Sequence, residues 1–134
     1  MRLEATRQPA VPARPARPGL HLIGDLHGCR CNRPALTDAG WLRQHCLMLV
    51  REAGLTPVGE LFHAFDGGGG VTGTVVLSES HLCLHTWPEE QYVTLDVFVC
   101  NYSADNRDKA RALFDRLVGL FDPEHPRTFA LDRD

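Results

Sequence analysis

Along "YVTLDVFVC", residues 92–100, Val93, Leu95, Val97 and Val99 alternate with Tyr92, Thr94, Asp96, Phe98 and Cys100, the period of two that puts successive side chains on opposite faces of a strand. The Val/Leu face is the natural one for helices to cover. In "SHLCLHTW", Leu82 and Leu84 point one way and His81, Cys83, His85 and Trp87 the other. "TPVGELFHAF" and "VTGTVVLS", parted by "DGGGG", read as two further strands of an antiparallel meander. Near the start, "GLHLIGDL" predicts a strand that "CRCNRP" breaks, leaving Asp25 and His27 at a strand end and a turn. Two stretches have helical periodicity. Leu36, Ala39, Leu42, Cys46, Val50 and Ala53 form one stripe closed by Gly54, and Ala110, Leu113, Phe114, Leu117 and Phe121 form a second within about 106–121. "PRTFAL" adds a last short strand. The pattern predicts an α+β two-layer sandwich, an antiparallel sheet with two main helices on one face.

The other face of that sheet is mixed, because neighbouring strands both turn polar residues outward. A second copy stacked on it is the simplest cover, so a homodimer is expected. At 134 residues the chain has room for one core. Residues 1–18, "MRLEATRQPAVPARPARP", carry prolines at 9, 12, 15 and 18 with hardly a large apolar side chain, and predict a disordered tail before a single domain over 19–134. The tail holds a net +3, leaving −6 for the remainder of a chain whose formal charge is −3. A mildly acidic domain argues against nucleic acid as partner. No stretch approaches the roughly 20 apolar residues of a membrane span, and none looks like a signal peptide. The expected location is the cytoplasm, with five cysteines as free thiols.

Residues 77–90, "LSESHLCLHTWPEE", place unusual chemistry in a strand. His81 and His85 have an H-x3-H spacing, but on a strand they lie too far apart to chelate one ion easily, so no metal is expected. "IGDLHGC" at 23–29 resembles the first metal-binding block of binuclear metallophosphatases, yet the GDxxDRG and GNHE blocks that chemistry needs are absent. "CRC" then reads as two solvent-accessible thiols, Cys29 and Cys31.

"LSESHLCLHTWPE", with "YVTLDVFVC" after it and "VTG" before it, closely resembles the processing and active-site region of the small prokaryotic S-adenosylmethionine decarboxylases. More loosely, the likeness extends to "LHLIGDLHGC", the following helix and "LFHAF". It implies a proenzyme (a zymogen) that makes its own cofactor. The Ser80 hydroxyl would attack the Glu79 carbonyl, turning the amide into an ester; elimination and hydrolysis would leave chains 1–79 and 80–134, the second beginning with a pyruvoyl group. A substrate amine would form a Schiff base with that group, which does the work of pyridoxal phosphate without it.

The resemblance also assigns roles. His85 takes the place of the processing histidine, Thr72 that of a serine supporting the tetrahedral species, and Cys100 that of the proton donor. Phe65 and Trp87 match positions that could stack on adenine, and Glu89 one suited to ribose hydroxyls. For Trp87 a strand-end aromatic packed on the core is the competing reading. Cys83 matches nothing and is expected in the core. Two departures stand out: Thr72 is a serine in the family, and "DGGGG" at 66–70 replaces a bulkier loop, which bears on substrate choice. The implied activity is decarboxylation of S-adenosylmethionine for spermidine and polyamine synthesis. Decarboxylation of ornithine or arginine on the same fold, or a partner subunit that never processes, are the alternatives.

Overall fold

The structure, a computed structural model, describes residues 18–102 and 104–133. All but Pro18 of the expected disordered tail falls outside them. Six strands form one antiparallel sheet in the order β2-β3-β4-β5-β1-β6, namely β1 Gly19–Cys29, β2 Pro57–Ala64, β3 Val71–Leu77, β4 Ser80–Trp87, β5 Tyr92–Val99 and β6 Pro123–Arg133. Helices α1 (Pro34–Thr37), α2 (Ala39–Glu52) and α3 (Arg107–Phe121) complete the fold, with a short 3-10 turn at Pro88–Glu90. Among the described residues no helix is long and apolar enough to cross a membrane.

The expected α+β architecture is the one observed. Leu82 and Leu84 of β4 and Val93, Leu95, Val97 and Val99 of β5 are buried, as are all five expected residues of α3. They meet Leu42, Cys46, Leu49 and Val50 of α2 in one continuous core, so alternation along the strands sorts one face of the sheet to the helices. Thr86 anchors this layer: its Oγ1 accepts from the Val71 N–H at 2.8 Å and donates to the Leu36 carbonyl at 2.6 Å.

Four expectations are corrected. The first helical stripe is two helices, because Asp38 is extended (ψ 104°) and its carboxylate caps α2 by accepting from the Trp41 N–H at 3.0 Å. Strand β1 does not end at Leu26; Asp25 and His27 remain in register with β6, opposite Arg127 and His125. Cys29 is not accessible. Gly28 has φ 65°, a left-handed step that breaks the alternation, so Cys29 turns inward to 1 % exposure and burial pushes its thiol up to about 12. The last strand is eleven residues long rather than a short piece.

The face away from the helices is open. Register places His21, Asp25, Thr72, Thr74, His81, Cys83, His85, Asp96 and Phe98 on it, interspersed with exposed Val76, Phe129 and Leu131.

Candidate active site

The β3–β4 hairpin turns through Ser78 and Glu79 alone, with Leu77 paired to Ser80. Two-residue loops favour positive φ within the loop, where it matches the twist of the strands. Neither Ser78 nor Glu79 has it; the positive value, 135°, belongs to Ser80. An L-residue held there costs about 1–3 kcal/mol, so strain sits directly on the Glu79–Ser80 peptide. That peptide's carbonyl accepts from the Cys100 N–H at 2.9 Å, a donor placed where negative charge would develop on attack. Ser80 Oγ lies 3.1 Å from Cys100 Sγ. Asn106, at the start of α3, donates from Nδ2 to the Cys100 carbonyl at 2.9 Å and to the Glu79 carboxylate.

The strain can be read directly. Ser80→Ala and Ser80→Gly both lack the hydroxyl, but only glycine occupies positive φ freely. After glycine's own entropic cost, Ser80→Gly is expected to be the more stable by about 1 kcal/mol, a few degrees in Tm. Equal melting temperatures would show that the backbone is not strained there.

A second pair lies at the far end of the hairpin. Thr72 Oγ1 is 3.1 Å from His85 Nδ1, on residues paired directly across β3 and β4. His85 lies five positions along extended strand from Ser80, about 16 Å at roughly 3.3 Å per residue. One chain thus joins Ser80 to Cys100 and Thr72 to His85, and holds the two pairs apart. Beside His85, Trp87 has its ring 6.1 Å away and 5.3 Å from Tyr92. Phe65, 53 % exposed, meets the His63 ring edge-on at 4.8 Å, and Glu89 is exposed on the 3-10 turn. The competing reading of Trp87 as a core aromatic is disfavoured by its 37 % exposure.

Comparison with known proteins places nearly the whole described chain in one family. The family model for S-adenosylmethionine decarboxylase matches residues 20–134. The chain belongs to the S-adenosylmethionine decarboxylase family. An S-adenosylmethionine decarboxylase proenzyme of Archaeoglobus fulgidus is 36% identical over 115 residues, 86% of this chain and 96% of the relative. A proenzyme of the same name from Pseudomonas aeruginosa is 37% identical over 99 residues, 74% of this chain, and the match spans 60% of that longer relative. The crystal structure of the adenosylmethionine decarboxylase from Aquifex aeolicus superimposes with a TM-score of 0.75 at 28% identity, covering 90% of this chain and 92% of that one.

Between the two pairs lies a group that the sequence motifs do not reveal. Asp96 Oδ2 is 3.0 Å from His21 Nε2 and 3.1 Å from His81 Nε2, and the three donor atoms lie within 4.8 Å of one another. Arg133, which can only donate, is 3.3 Å from His21 Nδ1. The His21 proton therefore sits on Nε2 and points at Asp96, so that nitrogen offers a hydrogen rather than a lone pair. His81 turns to Asp96 and His85 to Thr72, so the two do not converge. Cys83 is not in the core as expected: it is half-buried on the open face, its Sγ 3.2 Å from Thr74 Oγ1, with its pKa raised by burial. Asn106 was also missed, since a polar residue before a helix ordinarily signals no more than a cap.

Proposed function

We propose that this chain is a self-cleaving, pyruvoyl-dependent decarboxylase of S-adenosylmethionine, producing the aminopropyl donor of polyamine synthesis. The observation that carries the reading is the hairpin: a nucleophile at Ser80 with φ 135°, following a carbonyl already hydrogen-bonded to the Cys100 N–H. Attack by Oγ closes a five-membered ring across the Glu79–Ser80 peptide, and collapse breaks the C–N bond to leave an ester and a free amine. The Cys100 N–H stabilises the oxyanion between these states, and release of the distorted peptide favours the forward direction. Loss of the Ser80 Cα proton then expels the Glu79 carboxylate, and water replaces the nitrogen as ammonia departs.

The pyruvoyl group supplies a carbonyl that binds the substrate amine and accepts the electrons released with carbon dioxide. Cys100 Sγ, already against the Ser80 side chain, is placed to return a proton. His85, oriented by Thr72, supplies the base that removes the Cα proton during processing. In a single chain it is too distant, and this favours a homodimer of processed two-chain protomers. Two open faces stacked about a two-fold axis, with strands running oppositely, set the Thr72–His85 end of one copy over the Ser80–Cys100 end of the other. Phe65, Trp87 and Glu89, at the His85 end, then face the pyruvoyl group and hold the adenosyl part of the substrate. The same stacking covers Val76, Phe129 and Leu131. The five free cysteines suit a reducing cytoplasm.

Substrate assays test the reading. Carbon dioxide is expected from S-adenosylmethionine, with ornithine and arginine inert. Release from either amino acid alone would replace the substrate while keeping the machinery.

A further inference from the structure

Asn106 occupies the N-cap of α3, where asparagine is a favoured residue because its side chain can accept from an exposed backbone N–H of the first turn. Here the side chain makes no capping bond. Asn106 is 3 % exposed, and its Nδ2 is directed away from the helix, donating to the Cys100 carbonyl at 2.9 Å and to the Glu79 carboxylate. A carboxamide has two N–H donors, and there is one recipient for each. The backbone N–H of Asn106 is held in turn by Asn101 Oδ1 at 2.8 Å, and Asn101 Nδ2 donates to the Pro18 carbonyl at 2.7 Å.

These bonds enclose the peptide that is to break. Cys100 gives its N–H to the Glu79 carbonyl, while its own carbonyl is fixed by Asn106, and Asn106 also grips the side chain of Glu79. The carbonyl under attack and the donor that stabilises its oxyanion are thereby tied to one buried group. We propose that Asn106 is a positioning residue for self-cleavage: its carboxamide clamps Glu79 onto the Cys100 backbone and gives up helix capping to do so. This rests on Ser80 being the nucleophile. The same clamp retains the carboxyl end at Glu79 beside Cys100 after the chain has split.

Asn106→Ser separates positioning from structure. Serine caps helices as well as asparagine, but is too short to span Glu79 and Cys100. The expected result is a protein that melts at or above the wild-type temperature and splits at least tenfold more slowly, followed by intact mass after synthesis in a cell-free system. Asn106→Asp, which keeps the shape but turns two donors into acceptors, is expected to slow splitting further. Glu79→Gln in that background returns a donor across the same gap and is expected to recover several-fold in rate. Splitting of Asn106→Ser at the wild-type rate would overturn the proposal, as would slow splitting that merely tracks a lowered melting temperature. Ser80→Ala run alongside keeps the two readings apart, because a Ser80→Ala chain that still splits after Glu79 removes the nucleophile whatever Asn106 does.

Discussion

Ser80→Ala is expected to stay a single chain of 134 residues, while the unaltered sequence splits after Glu79. The effect should be all-or-none. The Glu79 carbonyl keeps its hydrogen bond to Cys100 and the backbone keeps its strained φ in the variant, but a methyl group cannot attack, and plain hydrolysis of a peptide bond is far too slow to replace it. Preorganisation of the oxyanion is worth about a hundredfold or more in rate only when there is a nucleophile to use it. The measurement is the mass of the denatured protein: two chains for the wild type, the second lacking the mass of its amine, against one for the variant. Cleavage of Ser80→Ala at the same bond would mean that another group attacks. A wild type that stays whole would mean that the hairpin is strained but silent, and the partner-subunit alternative would then take over.

Much of this arrangement was legible in the residues, for reasons that differ from place to place. The β4 and β5 alternation survives into the structure because one face of each strand is sealed by helices, and a buried face tolerates no slip in parity. At β6 this signal is lost. Nearly the whole strand is exposed, so "PEHPRTFALDR" has no apolar side to display, and its prolines sit on an edge, where a missing N–H costs little. The break at Asp38 is hidden for the opposite reason. Apolar spacing runs through it unchanged, since both helices pack on the same core, and only the capping aspartate marks it. Cys29 shows how one glycine defeats parity, because Gly28 at positive φ shifts the next side chain to the other face.

The chemistry divides in the same way. Ser80, His85 and Cys100 are singled out in the sequence only through the resemblance of "LSESHLCLHTWPE" and "YVTLDVFVC" to the family's processing region. Asn106 carries none: its importance comes from a choice of partners, Glu79 and Cys100 in place of its own helix, and a sequence does not say which bond a side chain declines. The His21–Asp96–His81 group was likewise out of reach, since it is assembled from three strands by sheet order alone.

Two inactive variants are expected to rescue one another. If His85 acts on the hairpin of the opposite copy, a chain carrying His85→Ala has an intact Ser80 and Cys100 but gives its partner no base, while a chain carrying Ser80→Ala has an intact Thr72–His85 pair and nothing to process. Alone, neither should mature. In a mixed dimer one site brings Ser80 from the first chain to His85 of the second and is complete, and the other site lacks both. Co-expression with a different tag on each chain, followed by sequential purification on both tags, isolates the mixed dimer. Only the His85→Ala chain in it should split after Glu79, and decarboxylation per dimer should return to about half the wild-type value. If His85 instead served its own hairpin, the mixed dimer would hold one chain without a nucleophile and one without a base, and both would stay whole. The five strand steps from Ser80 to His85, about 16 Å at roughly 3.3 Å per residue, favour the first outcome: a side chain does not reach across that distance, and a second copy running the other way has no need to.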